Sequence, residues 1–498
     1  MIVIQLNRRD FEYDIHSLVK AFYPGSDVMI CCEEEGASKD AASEAELKIS
    51  VFYEEKQIRI EFAAGQDTGA QESGKRSGQI PLENPDDRKE RKNQLKKLLY
   101  QMLLDYTGQK LPWGNLTGIR PTKIPMALLE QGYKNSEIAA YMREHYDTSR
   151  EKTALAVMIA NRERHILKDI NYENGYSLYV GIPFCPSICL YCSFSSSPLK
   201  VWKSRVNDYL DALCKEIDAS AELFAGKELN TVYIGGGTPT TLEPDQLDRL
   251  LTRLEERFDY SHLLEFTVEA GRPDSITREK LQVLRDHNIS RISINPQTMN
   301  QKTLDIIGRA HTVEQTIESF GLARSMGFDN INMDLIVGLP GEGREQVRHT
   351  MEEIRRLRPD SVTVHSLALK RGTRLNLFKE EYREISFQNN SEIMDMTARC
   401  CEEDGLSPYY LYRQKNMAGN FENVGYAGEG KAGIYNILIM EEVQSILALG
   451  AGASTKLVYS QDRIERIENV KDIKNYIERI DEMIARKETI VRKETKNE

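Results

Sequence analysis

The feature that most restricts the fold is an alternation of short β-rich runs with amphipathic helical runs, which starts near residue 175. Helical runs such as Val206–Phe224, Pro244–Phe258 and Val313–Met326 separate the β-rich runs. Six successive βα units predict a parallel sheet with right-handed crossovers, and six are too few for a closed eight-stranded barrel. We therefore predict an α/β fold with an open or partial (β/α)6 barrel over residues 171–384. The predicted strands are Ser177–Ile182, Thr231–Gly235, Glu265–Ala270, Arg291–Asn295, Asn330–Val337 and Ser361–Ala368.

The regions on either side of this core do not show the same alternation of strand-like and helical runs. Residues 1–170 contain strand-like runs followed by helical runs and predict an N-terminal α+β domain. Within it, the stretch near 63–92 is rich in Gly, Ser, Gln, Asp and Lys, which predicts a flexible segment. Residues 385–498 are less regular, and we expect a C-terminal α/β extension that covers the substrate.

Composition excludes several classes of protein. The net charge of −11, from 66 basic and 77 acidic residues, argues against a nucleic-acid partner bound through bulk charge. No run reaches the roughly 18 apolar residues of a membrane span, and the N-terminal apolar run is too short for a signal peptide. We therefore expect a cytoplasmic protein with reduced thiols.

Three of the eight cysteines form a metal-binding pattern, Cys185-x₃-Cys189-x₂-Cys192, directly after the first predicted strand of the core. Soft thiolates suit zinc or an iron–sulfur cluster. Zinc would need a fourth ligand, and the next cysteine, Cys214, lies in a helical run, while no His occurs between residues 166 and 261. A [4Fe–4S] cubane held by three thiolates leaves one iron open for S-adenosylmethionine (SAM).

Polar and glycine residues recur at the predicted carboxyl ends of the following strands. The Gly235-Gly236-Gly237 triplet follows the second strand and would let the backbone approach a ligand closely. Glu269 could accept hydrogen bonds from a ribose or from the SAM ammonium. Asp334, inside an apolar parallel strand, needs a polar partner. Each residue alone is also explained as a structural hydrogen-bonding group, but their shared position in the mouth of the barrel favours a site.

Together these residues resemble the oxygen-independent coproporphyrinogen-III dehydrogenase family of radical SAM proteins. The similarity covers roughly residues 175–456, and the long N-terminal extension, with its segment 118–123, looks like that of the HemZ-like subgroup. The matching phrases are Tyr179-Val-Gly-Ile-Pro-Phe-Cys185, Gly235-Gly-Gly-Thr-Pro-Thr240, Asp334-Leu-Ile-Val-Gly-Leu-Pro-Gly341 and Gly450-Ala-Gly-Ala-Ser454.

The resemblance implies a radical SAM barrel in which a [4Fe–4S] cluster, held by the three cysteines, and SAM generate a 5′-deoxyadenosyl radical. That radical would start the oxidative decarboxylation of coproporphyrinogen III propionates to vinyl groups, giving protoporphyrinogen IX. A flavodoxin- or ferredoxin-type protein would supply the electron. The implied SAM contacts are Tyr179, Tyr191, Gly236, Gly237, Thr238, Glu269, Gln297, Arg309, Asp334 and Ala368.

Two positions depart from the pattern of the dehydrogenases. Phe194 stands where they have a fourth cysteine, and Gly181 stands where they have His. These departures leave two alternatives open, a HemW-like haem chaperone and a radical SAM enzyme that acts on another tetrapyrrole. A porphyrinogen with several propionates needs cationic donors. The candidate donors are Arg120, Lys123, Arg272, Lys370, Arg371 and Arg413.

Overall fold

The computed structural model describes residues 1–32, 45–64, 75–368, 373–377, 389–414, 421–460 and 463–494. The chain forms two compact units. The smaller contains residues 1–158 and 413–421, and the larger contains residues 159–412 and 422–498. In the described part of the chain, no helix has the length and apolar character needed to cross a membrane.

The smaller unit is built on a five-stranded sheet with the order β2-β1-β3-β4-β5. Its buried side chains alternate along β3 and β4, so that one face of the sheet packs against helices α1 and α2. The strands are Ile2–Leu6 (β1), Val28–Cys32 (β2), Leu47–Tyr53 (β3), Gln57–Ala64 (β4) and Arg76–Pro81 (β5). The helices are Glu12–Phe22 (α1), Arg88–Thr107 (α2), Lys123–Glu130 (α3), Asn135–Tyr146 (α4) and Arg150–Leu167 (α5), the last of which continues into the larger unit.

The prediction of a flexible segment near 63–92 is wrong for the second half of that stretch. Residues 76–81 form β5, which pairs antiparallel with β4, and α2 already begins at Arg88. The polar composition of β5 reflects its position at the edge of the sheet, where most of its side chains face solvent. Residues 65–74 lie outside the described residues.

The larger unit is built on an eleven-stranded sheet with the order β14-β15-β13-β12-β11-β10-β9-β6-β16-β17-β18. Seven consecutive strands of this order, from β13 to β16, are parallel, and the strands outside them are antiparallel. The strands are Gly175–Ile182 (β6), Phe184–Cys185 (β7), Ser197–Pro198 (β8), Glu228–Gly236 (β9), Glu265–Gly271 (β10), Arg291–Ile294 (β11), Ile331–Val337 (β12), Ser361–Ser366 (β13), Ser407–Tyr412 (β14), Asn423–Ala427 (β15), Ser445–Leu449 (β16), Ser454–Ser460 (β17) and Arg463–Glu468 (β18).

Amphipathic helices connect the parallel strands. In α8, for example, Leu247, Leu250, Leu251 and Leu254 are buried at the spacing of one helical face. The helices are Leu199–Trp202 (α6), Val206–Leu223 (α7), Pro244–Arg257 (α8), Arg278–Asp286 (α9), Gln301–Ile306 (α10), Val313–Ser325 (α11), Arg344–Leu357 (α12), Arg374–Leu377 (α13), Ser391–Glu403 (α14), Ile434–Glu441 (α15), Ile473–Glu478 (α16) and Ile480–Glu494 (α17).

The predicted α/β class and the six predicted strands of the core are confirmed. The structure adds a seventh parallel strand, β16, which pairs with β6. Strands β14 to β18, from the region predicted as a separate C-terminal extension, extend the same sheet on both edges. That this region covers a substrate stays a prediction.

Candidate active site

The three-cysteine loop begins where β6 ends, at the carboxyl end of the parallel sheet. The short strands β7 and β8 pair across the loop, so that Cys185 lies opposite Pro198. Inside it, the Cys192 N–H donates to the Cys189 carbonyl oxygen at 3.2 Å, and the Leu190 N–H donates to the carbonyl oxygen of Ile307 at 2.9 Å. These bonds hold the cysteines on one folded loop in the mouth of the barrel.

The thiols lie close enough to affect one another. Burial raises the pKa of Cys185 and raises the pKa of Cys192 to about 11, and the negative charge of the neighbouring cysteines adds to both shifts. Because their pKa values are raised, Cys185 and Cys192 need a cationic centre nearby to be ionised at neutral pH. The set therefore fits a [4Fe–4S] cluster, whose iron atoms take thiolate ligands.

The glycine triplet lies directly against this loop. A Cβ atom on Gly237 would come within 2.5 Å of the carbonyl oxygen of Phe184, and Gly236 has a φ of +104°. The N–H groups of Gly237 and Thr238 donate to the carbonyl oxygens of Ile182 and Phe184, both at 2.7 Å. These two N–H groups are therefore bonded within the protein, and contact of Gly236, Gly237 and Thr238 with SAM stays a prediction.

The side chain of Thr238 points to the cysteine loop. Its hydroxyl oxygen lies 3.6 Å from the Cys185 sulfur, so the predicted SAM contact is placed as a neighbour of a cluster ligand. Ala368, another predicted SAM contact, lies just beyond the end of β13 and is half-buried.

Glu269 is surrounded by aromatic rings. It accepts a short hydrogen bond from the hydroxyl of Tyr233, whose ring stacks on Tyr435 at 4.5 Å between centroids. Tyr179 completes the group, 6.3 Å from Tyr233 and 6.5 Å from Tyr435. Burial raises the pKa of Glu269 to about 7, although the bond from Tyr233 opposes this shift. A carboxyl that titrates near neutrality in a buried position is typical of a functional site.

Asp334 has partners on both sides. Asn332 donates to it at 2.7 Å, and Nε2 of His365 lies 3.8 Å from its other oxygen. Burial raises the pKa of Asp334, but the nearby His365 ring and the hydrogen bond from Asn332 outweigh burial and hold the pKa below its usual value. The predicted partner of this carboxylate is thus confirmed, and the group is an anion at neutral pH.

Gln297 combines two uncommon features. Its φ is +69°, in the left-handed region, and its side-chain oxygen Oε1 is buried without a hydrogen-bond partner. Its backbone is bonded to β12 through the oxygen of Asp334 and the N–H of Ile336. A strained backbone that holds an unsatisfied buried acceptor is costly and points to a bound donor group.

Arg309 and Tyr191 form one unit beside Cys189. The Arg309 guanidinium donates to the carbonyl oxygen of Asn295 at 2.5 Å and to the Tyr191 hydroxyl at 3.2 Å. Its Nη1 also lies 3.9 Å from the Cys189 sulfur. Both predicted SAM contacts are therefore engaged with the cluster loop, and contact with SAM stays a prediction for them.

The structure argues against one of the predicted propionate donors and leaves the others as predictions. Arg272 is wrong in this role because it is 3% exposed and bonded to Asp274. Arg413 belongs to the smaller unit and is also buried, with its guanidinium bonded to the carbonyl oxygen of Leu116 at 2.6 Å. Arg120 and Lys123 also belong to the smaller unit. Lys370 and Arg371 lie outside the described residues.

The sequence interpretation did not identify several groups that the fold brings to this site. Tyr233 lies near the end of a predicted strand, and this position could have indicated that it belongs to the site. Tyr435 comes from helix α15, which is distant in sequence, and no local pattern indicates its place in the site. His365 and Asn332 are the partners of Asp334. Arg291 is buried; burial lowers its pKa, but the electrostatic influence of Tyr409 and Glu265 outweighs burial and raises it.

The run of seven parallel strands with their connecting helices, as in a partial barrel, and the three-cysteine loop are the features of the radical SAM class. The family model of the Radical SAM superfamily matches residues 179–354. Proteins of this class use a [4Fe–4S] cluster and SAM, and the thiols, the buried acceptor of Gln297 and the ionised Asp334 fit those two groups.

Similar proteins indicate which radical SAM family the chain belongs to. The chain is 42% identical to the oxygen-independent coproporphyrinogen-III oxidase-like protein HemZ of Bacillus subtilis over 417 residues, which is 82% of this chain and 83% of that protein. It is 34% identical to the heme chaperone HemW of Lactococcus lactis, over 56% of this chain and 69% of that protein. The solved structure of Escherichia coli coproporphyrinogen III oxidase (HemN) shares the fold, with a TM-score of 0.50 and 24% identity over 62% of this chain and 70% of that one. The chain therefore belongs to the radical SAM family of HemN- and HemZ-like proteins and is a radical SAM oxidoreductase.

Proposed function

We propose that the protein converts coproporphyrinogen III propionates to vinyl groups without oxygen, giving protoporphyrinogen IX. The observation that carries this proposal is the similarity to the HemZ protein, a coproporphyrinogen oxidase-like relative, over 83% of that protein's length. The Glu269, Gln297 and Asp334 arrangement supports it, because it provides acceptors for the hydroxyl and ammonium groups of SAM.

In this proposal, each group of residues in the site has a separate role in holding the cluster or SAM. Cys185, Cys189 and Cys192 hold the cluster, and the Tyr233–Glu269 pair with Asp334 orients SAM beside it. When bound, the cluster and SAM supply hydrogen-atom abstraction. A propionate side chain that loses one hydrogen atom, then CO₂ and one electron, would become a vinyl group, and a one-electron acceptor would take up that electron. A flavodoxin- or ferredoxin-type donor supplies the electron that reduces the cluster.

The test is anaerobic incubation of the reconstituted protein with SAM, a reductant and coproporphyrinogen III, followed by mass spectrometry of the tetrapyrroles. We expect products that have lost CO₂ and two hydrogens per propionate. Recovery of unchanged coproporphyrinogen, while SAM is cleaved, would contradict the proposed substrate.

A haem chaperone is the second candidate, favoured by the HemW relative and by the residues at 181 and 194. The side chain of Phe194 is 73% exposed, and Gly181 has Leu449 O and the Tyr179 ring 3.4 Å from where a Cβ would stand. Stoichiometric, tight haem binding without decarboxylation would support this function instead.

Glu269 gives a prediction for pH dependence. Only its carboxylate form carries a negative charge with which to accept hydrogen bonds from SAM beside the bond from Tyr233, and its pKa is raised to about 7. The SAM affinity of the cluster-loaded protein should therefore fall about tenfold as the pH drops from roughly 8 to 6. The Glu269→Gln variant should bind SAM more weakly at the higher pH and lack this slope, and calorimetric titration at several pH values measures both. An equal slope in the variant would exclude Glu269 as the titrating group.

A further inference from the structure

The guanidinium of Arg272 bonds both Asp274 and the cysteine loop. Its Nε and Nη2 form two parallel bonds to Asp274, at 2.9 and 2.7 Å. Its Nη1 donates to the hydroxyl of Ser187 at 2.8 Å and lies 3.9 Å from the sulfur of Cys189. A bidentate carboxylate fixes the plane of a guanidinium, so the third nitrogen is aimed at the loop.

This contact joins two elements of the site. Arg272 follows β10, the strand that carries Glu269, whereas Ser187 and Cys189 belong to the loop after β6. The Ser187 hydroxyl also bonds the carbonyl oxygen of Gly308 at 3.0 Å. The part of the loop that contains Cys189 is therefore held to the segment after β10 by the Arg272 side chain and to the turn after α10 by the Ser187 side chain.

Two positively charged guanidinium groups lie beside the Cys189 sulfur. Arg272 and Arg309 are 3% and 4% exposed, and each places Nη1 3.9 Å from the same sulfur. A guanidinium does not lose its proton in a protein. Hydrogen bonds and positive charge at a cluster sulfur favour the reduced cluster, which carries one more electron.

We propose that Arg272, oriented by Asp274, is a positioning residue that holds the Cys189 corner of the cluster and raises the reduction potential of the cluster. This role of Arg272 does not depend on which substrate the protein uses. It rests on the cluster, which membership of the radical SAM family implies, and on the contacts of this chain's own residues. Arg309 supplies the second charge at the same sulfur.

The test compares Arg272→Gln, which removes the charge, with Arg272→Lys, which keeps it but loses the fork. The readouts are the midpoint potential of the cluster, from a redox titration followed by electron paramagnetic resonance, and the rate of iron loss to a chelator. For the glutamine variant we expect the equilibrium constant for one-electron reduction to fall about tenfold, a decrease of about 59 mV, together with faster iron loss. The lysine variant should lie closer to the wild type in both measurements.

A matched control is Arg253→Gln. Arg253 also forms an ion pair with an aspartate, Asp218, but on the outer helices of the barrel. Its substitution should change neither readout. The inference is overturned if Arg272→Gln equals the wild type in both measurements, or if Arg272→Lys comes no closer to the wild type than Arg272→Gln does. If Arg272→Gln binds no iron, the lysine variant decides, since retention of its cluster supports the inference and equal loss contradicts it.

Discussion

Replacing Cys185, Cys189 or Cys192 by Ala should each abolish the [4Fe–4S] cluster, because three thiolates are its full set of protein ligands. Anaerobically reconstituted wild-type protein should carry about four irons per cluster, and each variant should carry close to none. Iron and sulfide analysis, with the visible absorption of the cluster, measures the loss.

The matched control is Cys214→Ala. Cys214 lies on α7, away from the loop, and is also partly buried, so its loss should leave the iron content unchanged. If one of the three loop variants keeps a full cluster, or if the wild type binds zinc in place of iron under anaerobic conditions, the assignment of the cluster ligands fails.

The second large effect concerns a buried ion pair of the larger unit. Glu216 accepts hydrogen bonds from Lys487 at 2.6 Å and Asn469 at 2.7 Å with one oxygen, and from Gly450 N and the Tyr476 hydroxyl with the other. The side chains of Glu216 and Lys487 are 0% and 1% exposed. This network fastens α17 and the turn after β16 to α7.

Glu216→Ala should therefore lower the free energy of unfolding by about 3–5 kcal/mol, because it leaves the Lys487 ammonium buried without an anion. Chemical denaturation followed by circular dichroism measures the change. The double variant Glu216→Met with Lys487→Met should recover a large part of it, since no buried charge is left unpaired.

An exposed ion pair provides the control. Glu345 bonds Arg348 at 2.6 Å on the surface of α12, where both side chains are at least half exposed. Replacing Glu345 by Ala should lower the free energy of unfolding by less than about 1 kcal/mol. If Glu216→Ala were no more destabilising than Glu345→Ala, the network around Glu216 would not be a stabilising element.

The core of the fold could be predicted because its signals are local. Each central strand is a short apolar run followed by a glycine or polar residue, and each connecting helix shows one apolar face. Strand β16 follows the same rule, with Gly450 directly after it, but it was missed because its partner β6 lies far away in sequence. Strand β5 was missed because an edge strand needs no apolar face.

The site was predicted less completely than the fold. The cysteines and the residues Glu269, Gln297 and Asp334 could be proposed from motif and position, and their contacts with a cluster and SAM stay predictions. The role of Arg272 could not, because its charge suggests a solvent-exposed donor until the fold places Asp274 and Ser187 around it. The stacking of Tyr435 on Tyr233 depends on a helix that comes some 200 residues later in the chain.

The most direct test of the account follows hydrogen from the substrate to SAM. Coproporphyrinogen III labelled with deuterium on its propionate side chains is incubated anaerobically with the reconstituted protein, SAM and a reductant, and the 5′-deoxyadenosine formed is analysed by mass spectrometry. We expect hydrogen abstraction from the substrate, and therefore deuterium in the 5′-deoxyadenosine, together with loss of CO₂ from the tetrapyrrole. Unlabelled 5′-deoxyadenosine beside intact coproporphyrinogen would contradict it.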